Sequence, residues 1–201
     1  MKKFTSLTAI LFCSAWMAYG QWTYTNLSEP KGSMGSAALG NKVYFAGGDN
    51  GSEFLSEVQV YDVINKTWEI AGGGLFYARI VPGGSVACGS KVFFAGGISD
   101  TDVTDRVDIY NFTTNTWSID SLSQARTYAS AVTVGTKVII AGGNTSLYHP
   151  TNRVDIYDAS TGTWSQAELS SPRSALTQLA AFTTKTYKKQ PKTRYFHLET
   201  G

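Results

Sequence analysis

A threefold internal repeat constrains this chain more than any other feature. An apolar segment that ends in two glycines occurs at residues 40–48, 89–97 and 135–143, with the sequences GNKVYFAGG, GSKVFFAGG and GTKVIIAGG. Self-similarity at a period of roughly 20–50 residues is the signature of repeat architectures, in which each unit buries its apolar face against its neighbours. We therefore expect repeated structural units that share a continuous core.

A second block follows each glycine pair and carries one tyrosine and one tryptophan. It begins VQVY, VDIY and VDIY, and the tryptophans that follow are 49 and 47 residues apart. The residues concerned are Tyr61, Tyr110, Tyr157, Trp68, Trp117 and Trp164. Valine, isoleucine and aromatic residues favour β-strands. Each period therefore predicts several strands, with the tyrosine and the tryptophan in the core between units.

These two blocks together resemble the kelch repeat, a unit of about 50 residues that forms one four-stranded blade of a β-propeller. The resemblance covers residues 21–181. It implies an all-β fold of about three blades, at residues 33–70, 80–119 and 127–168, in an incomplete or open ring. The glycine pairs are then structural positions of the repeat: Gly47, Gly48, Gly96, Gly97, Gly142 and Gly143.

A fourth repeat begins but does not continue. Residues 172–181 resemble residues 125–132, and the sequence after them has no glycine pair, no VDIY block and no tryptophan. A closed propeller needs at least about four blades. We expect either a truncated or frame-shifted gene product, which we favour, or the assembly of several copies into one ring. Residues 182–201 then form a basic tail that is disordered or aberrant.

The first 20 residues have the features of a secretory signal peptide. A basic start precedes an apolar run at residues 7–17, and small residues lead up to Gly20. The run is too short to cross a bilayer, and we expect no membrane span in the mature chain. We predict cleavage after Gly20 and a secreted, extracellular or periplasmic protein. A buried N-terminal helix is the alternative. Residues 21–25 then resemble an isolated outer strand, with Trp22 in the tryptophan position of the repeat.

The charge distribution argues against a nucleic-acid partner. The formal net charge is +2, but two lysines lie in the signal peptide and five of the cationic residues lie in the tail. The repeat body keeps ten lysines and arginines against fourteen aspartates and glutamates. A mildly acidic body lacks the basic surface that nucleic-acid binding requires.

No catalytic motif is visible, and we predict no catalytic residue, no metal site and no cofactor. Neither histidine belongs to a cluster with metal-ligand spacing. The acidic segment at residues 100–105 lacks the glycine and the distal glutamate of a calcium loop. We interpret it as a solvated loop between the second and third strands of the second blade, with weak calcium binding as the alternative.

Three arginines recur at a spacing of 47 residues, namely Arg79, Arg126 and Arg173. Each lies between the last strand (d) of one blade and the first strand (a) of the next. The kelch resemblance implies that these d–a loops share one face with the b–c loops, and that this face usually binds ligands. A ring of cations there would suit an acidic peptide or an anion. Alternatively, each arginine bonds loop carbonyls or pairs with an aspartate of a neighbouring blade.

Further binding candidates lie in the same loops: Tyr77, Tyr128, Asp100, Asp102, Tyr148 and His149. We predict a secreted, non-enzymatic module that binds an unknown protein or glycan through the d–a and b–c loops, because loops on a rigid scaffold carry function. One rival is a fragment of a propeller enzyme that acts on sugars, similar to a sialic-acid epimerase or a galactose oxidase. Another is a product without a stable fold.

Overall fold

The computed structural model describes residues 23–146 and 148–175, and the regular elements in this part of the chain are twelve β-strands. The predicted signal peptide, residues 176–181 and the predicted tail at 182–201 lie outside the described residues.

The twelve strands form three four-stranded antiparallel sheets, here named blades one, two and three. Blade one consists of β1 (Gly35–Leu39), β2 (Lys42–Ala46), β3 (Val58–Asp62) and β4 (Thr67–Ile70). Blade two consists of β5 (Ser85–Cys88), β6 (Lys91–Ala95), β7 (Arg106–Asn111) and β8 (Thr116–Ser121). Blade three consists of β9 (Ser130–Val134), β10 (Lys137–Ala141), β11 (Thr151–Asp158) and β12 (Thr163–Arg173). The expected all-β fold of four-stranded, propeller-type blades is confirmed.

The blades are arranged around their first strands. Neighbouring strands in each sheet follow the order of the sequence, so each blade is a simple meander with strands a, b, c and d. The a strands β1, β5 and β9 lie next to one another. The d strands β4, β8 and β12 are mostly exposed. The a strands therefore mark the inner side of the arrangement and the d strands its outer side.

Strand β6 shows why the apolar runs form covered strands. Val92, Phe93 and Phe94 are all fully buried. Because successive side chains of a strand point to opposite faces, Phe94 packs in the core shared with blade one and Phe93 in the core shared with blade three. A strand covered on both faces needs the nearly continuous apolar sequence that this one has.

Two hydrophobic cores result, one between each pair of neighbouring blades. Each core contains tilted aromatic contacts between the tyrosine and the tryptophan of the repeat. The ring centroids are 5.1 Å apart in both Tyr110–Trp117 and Tyr157–Trp164. Such pairs stabilise by about 0.5–1.5 kcal/mol beyond the area they bury, and these two therefore serve the packing of one blade on the next. The equivalent pair of blade one, Tyr61–Trp68 at 4.9 Å, belongs to neither core and lies on the side of the segment that precedes blade one.

The glycine pairs join each blade to the next d–a loop. In each repeat the second glycine donates its amide hydrogen to an arginine carbonyl, and the distances are 3.0 Å for Gly48–Arg79, 3.0 Å for Gly97–Arg126 and 2.8 Å for Gly143–Arg173. A Cβ on the first glycine would meet the same carbonyl. At Gly96, which has a φ of +65°, it would lie 2.1 Å from the Arg126 oxygen. Only glycine allows this approach.

The segment before blade one occupies the place of a missing outer strand. The Trp117 indole donates to the Gly72 carbonyl just beyond β4, and the Trp164 indole donates to Asp120 in β8. The Trp68 indole instead donates to the Thr25 hydroxyl at 2.8 Å. Residues 23–27 form no strand, but they cover blade one where a preceding d strand would lie.

Candidate functional site

The d–a and b–c loops meet at one end of the blades. Isolated bridges join Ile80 to Ile98, and Ile98 to Val103 in the same b–c loop. The equivalent bridge in the next repeat joins Thr127 to Asn144. In an antiparallel meander the a–b and c–d turns lie at the other end. The loop face, defined as the d–a and b–c loops together, is therefore a single surface carried on rigid strands.

Arg79 is buried in this region and does not reach the surface of the loop face. Its guanidinium forms an ion pair of 2.6 Å with Asp108 of β7, and both side chains are almost completely buried. It also donates to the Gly96 and Phe94 carbonyls at 2.9 and 3.0 Å. Burial lowers the pKa of Arg79, and the neighbouring Asp108 opposes that shift.

Arg126 repeats this arrangement in blade three. Its guanidinium forms an ion pair of 2.7 Å with Asp155 of β11 and donates to the Ile140 carbonyl at 3.1 Å. Burial lowers the pKa of Arg126, while the hydrogen bond and charge of Asp155 raise it. The contacts of both arginines match the structural alternative, in which each arginine pairs with an aspartate of a blade. The aspartate of each VDIY block is the partner.

The first repeat uses a variant of the same contact. Lys31 stands in the arginine position, and its buried side chain lies 3.4 Å from the partly exposed Glu57. Gln59 replaces the aspartate of the other blades and exchanges hydrogen bonds with Ser28. Blade one is therefore joined to the segment that precedes it by a weaker ion pair and by neutral hydrogen bonds.

Arg173 is different, since its side chain is exposed. Its carbonyl accepts the Gly143 amide as in the other repeats. Within residues 23–146 and 148–175, no carboxylate lies within ion-pair distance of its guanidinium. The partner position of Arg173 would lie on a further blade, because Arg79 and Arg126 each pair with the blade that follows them.

A groove of about 490 Å³, lined by both polar and apolar atoms, opens on the loop face at blade two. One wall is the d–a loop around Tyr77, and the other is the b–c loop over residues 99–104 with Asp100 and Asp102. Both carboxylates belong to exposed residues. Within the b–c loop, the Ser99 hydroxyl donates to the Asp102 carbonyl. The structure thus brings four of the predicted binding residues together, since Arg79 also lines the groove.

Phe76 and Arg106, which the sequence analysis did not select, lie beside Tyr77 at the edge of this groove. Phe76 and Tyr77 are 58% and 53% exposed and form an edge-to-face pair with ring centroids 4.7 Å apart. The Arg106 guanidinium lies 4.0 Å from the Phe76 ring centroid and 4.9 Å from that of Tyr77. Such cation–π contacts hold exposed rings in place. The repeat pattern offers no signal for Phe76, because Ser123 takes its position in the next repeat.

The remaining candidates lie in the loops of blade three. Tyr128 and Tyr148 are 41% and 84% exposed, and both have a positive φ, of 53° and 61°. The His149 ring nitrogen Nδ1 lies 2.9 Å from the Ser146 hydroxyl. These residues share the loop face with the groove but do not line it.

The described residues contain neither a metal-binding cluster nor a membrane-spanning helix. No group of three or more histidine, cysteine, aspartate or glutamate side chains there could hold a metal ion. The described part of the chain also contains no helix of sufficient length and apolarity to span a membrane.

Comparison with known proteins identifies the family. The model of the kelch motif matches residues 30–73, 79–119 and 125–168. No curated protein matches the chain. Among solved structures, that of YjhT matches with a TM-score of 0.59 and 18% identity, over 72% of this chain and 54% of its own. The chain thus spans about half the length of that structure, and the likeness concerns the fold alone. With three matched motifs that each coincide with one four-stranded blade, the chain belongs to the kelch-motif family.

Proposed function

We propose that this chain is a secreted, non-enzymatic module that binds a protein partner through its loop face. The observation that supports the proposal is the groove between Tyr77 and the b–c loop of blade two. It combines exposed aromatic rings with carboxylates, on loops that rigid strands hold in place. Aromatic residues are enriched at the centres of protein interfaces, where they supply a large contact area at a low entropic cost.

The chemistry of the groove indicates what kind of segment it takes. Asp100 and Asp102 carry the exposed charges of one wall, while the buried Arg79 is already paired with Asp108. The exposed charges of that wall are therefore negative. Phe76 and Tyr77 offer exposed aromatic surface beside it. A lysine or arginine next to an apolar residue on a partner protein would satisfy both features.

Selection from a phage-displayed library of random peptides tests this function. Immobilised protein should enrich peptides that contain lysine or arginine beside an apolar residue. The double variant Tyr77→Ala/Asp102→Asn should lose at least about tenfold in affinity for them, because one anchor and one charge are removed. Phe112→Ala is the matched control, since Phe112 is a similarly exposed aromatic residue in the c–d turn at the opposite end of blade two.

The outcomes separate this function from its rivals. Peptides that bind the double variant equally well would place recognition elsewhere and contradict the proposal. Selective binding on a glycan array, with no enriched peptide, would favour a glycan ligand. Turnover of a bound sugar would favour the enzyme fragment.

Secretion is a separate part of the proposal, and it rests on the sequence of residues 1–20. N-terminal sequencing of protein recovered from the medium or the periplasm should begin at Gln21. Retention of Met1 and of the whole chain in the cytoplasm would overturn this part and leave the binding proposal in place.

A further inference from the structure

We propose that Asn50 is a site of self-catalysed deamidation, in which the Gly51 amide nitrogen attacks the Asn50 side chain and Asp49 acts as the base. The three residues lie in the b–c loop of blade one, between β2 and β3. This loop belongs to the loop face, but none of the three residues lines the groove at blade two. The inference therefore does not depend on the proposed ligand.

The nucleophile is the backbone nitrogen of Gly51. Asparagine is one of the thermally labile residue types, and Asn50 is the one asparagine of the sequence that a glycine follows. Glycine has no side chain to obstruct an approach to its nitrogen. Gly51 is also exposed, and a Cβ placed on it would meet no atom within 4 Å. The Gly51 nitrogen is therefore sterically accessible to the side chain that precedes it.

The base is the carboxylate of Asp49. Its Oδ1 accepts the amide hydrogen of Gly51 at an N–O distance of 2.6 Å, and a general base has to lie within about 2.6–3.2 Å of the atom that it deprotonates. The backbone of Asp49 is held by two hydrogen bonds with Gly32, of 2.9 and 3.1 Å. The carboxylate is thus fixed beside the proton that has to leave.

Two backbone amides polarise the bond that is attacked. The Asn50 side-chain oxygen Oδ1 accepts hydrogen bonds from the amides of Ser52 and Glu53, both at 3.0 Å. Since a backbone N–H can only donate, the accepting atom is the oxygen and not Nδ2. Such donors stabilise the negative charge that develops on a carbonyl oxygen during attack, as in an oxyanion hole. Residues 49–53 therefore combine a nucleophile, a base and an oxyanion hole.

The reaction needs only these groups and water. The Gly51 nitrogen forms a bond to Asn50 Cγ while its proton passes to Asp49. The bond between Cγ and Nδ2 then breaks, Asp49 returns the proton to the leaving nitrogen, and ammonia departs from a cyclic imide. Solvent water opens that ring at Cγ to give aspartate, or at the backbone carbonyl to give isoaspartate. No oxidant or reductant takes part.

Either product changes the loop face of blade one. A carboxylate replaces the neutral amide of Asn50, so the loop becomes more acidic. Isoaspartate also inserts one methylene group into the backbone of the loop that the bridge between Asp49 and Phe54 closes. The reaction therefore alters the charge of this loop and, in the isoaspartate form, its length.

Asn111 provides an internal control. Its side-chain oxygen accepts the amides of residues 113 and 114 at 3.0 and 3.4 Å, so it has the same kind of donors as Asn50. However, Phe112 follows it in place of a glycine, and Tyr110 precedes it in place of an aspartate. Comparison of Asn50 with Asn111 therefore isolates the contributions of the nucleophile and the base.

Peptide mapping with tandem mass spectrometry, over a time course at neutral pH, tests the proposal on the purified full chain. We expect Asn50 to convert to aspartate and isoaspartate while Asn111 stays intact, and to convert faster in the folded chain than in guanidinium chloride. Asp49→Ser should slow the conversion by at least about tenfold, because the hydroxyl can still accept the Gly51 amide but is not a comparable base.

A second variant keeps the result decisive. Phe112→Gly places a glycine after Asn111, beside the same amide donors but without a preceding carboxylate. Asn111 in this variant should convert at least about tenfold more slowly than Asn50. Circular dichroism checks that each variant keeps its β-sheet content. An intact Asn50, a conversion no faster in the folded than in the unfolded chain, or an Asp49→Ser variant that converts at the original rate would each overturn the proposal.

Discussion

Arg126 and Arg173 occupy the same position in successive repeats, yet their surroundings are opposite. Both carbonyls accept an amide from the second glycine of the preceding pair. The Arg126 side chain is fully buried and lies 2.7 Å from Asp155, whereas Arg173 is exposed. The preceding blade thus holds the backbone of the d–a loop in place. The following blade determines whether the arginine side chain is buried.

This difference teaches that the repeated arginine connects the d–a loop to the following blade where that blade supplies a carboxylate, as it does for Arg79 and Arg126. A guanidinium is costly to bury unless a carboxylate and further acceptors surround it. Blades two and three provide these groups through Asp108, Asp155 and strand carbonyls. The proposed binding on the loop face therefore uses residues that do not recur, such as Phe76 and Asp102.

The largest effect is expected when the buried connector is removed. Arg126→Leu should lower the free energy of unfolding by about 3–5 kcal/mol, because Asp155 is left buried without its partner. Arg173→Leu should change it by less than about 0.5 kcal/mol, as for other surface substitutions. Urea unfolding measures both. Equal losses of unfolding free energy in the two variants would contradict this prediction.

A double variant separates the effect of the buried charges on stability from the effect of side-chain volume in the contact between Arg126 and Asp155. Arg126→Leu/Asp155→Leu removes the buried charge together with its partner, so it should recover part of the stability that the single variant loses. A double variant less stable than either single variant would show that packing, rather than the ion pair, joins these blades.

Two glycine substitutions test how much the close contact between a glycine pair and the d–a loop contributes to stability. Gly96 and Gly89 both have a positive φ, of 65° and 59°, but only at Gly96 would a Cβ meet another group, the Arg126 carbonyl. Gly89→Ala should therefore cost about 1–2 kcal/mol for backbone conformation alone. Gly96→Ala should cost clearly more, because it also pushes the d–a loop away. Thermal unfolding of the two variants measures the difference, and equal shifts in Tm would contradict it.

The smallest effect concerns the c–d turns and their response to pH. Hydrogen bonds from Lys137 and Ser160 lower the pKa of Asp158 below its ordinary value of 3.8. A carboxyl with a lower pKa in the folded state stabilises the fold above its unfolded pKa, and that contribution is lost as pH falls through the folded pKa. Stability should therefore decrease below about pH 4.

Blade two supplies the control for this prediction, because it carries Asn111 in the same position, and the Asn111 side-chain oxygen accepts hydrogen bonds from the backbone amides of residues 113 and 114. Asp158→Asn should preserve the turn and reduce the loss of stability in acid. Urea-unfolding midpoints measured from about pH 2 to about pH 7, a range that spans carboxyl titration, test this expected reduction. An unchanged pH profile would show that other carboxyls dominate.

Much of the fold was predictable from the sequence, because the signals are local and repeated. Each KVxxA run is a b strand, each VxxY block lies in a c strand, and each tryptophan lies near the start of a d strand. The choice between a binding role and a structural role for Arg126 was not predictable. The spacing of 47 residues is the same under both roles, and only the position of Asp155 in space distinguishes them.

The sequence by itself determined the three blades of the described residues, the order of their strands and the positions of the glycine pairs, because the repeat encodes a meander with tight turns and close backbone contacts. The tertiary structure decided which side chains face solvent. Burial depends on the neighbouring blade, and no residue within a repeat reports whether that neighbour is present. This is why Arg126 is a connector, Arg173 is exposed, and Phe76 and Arg106 meet Tyr77 at the edge of the groove.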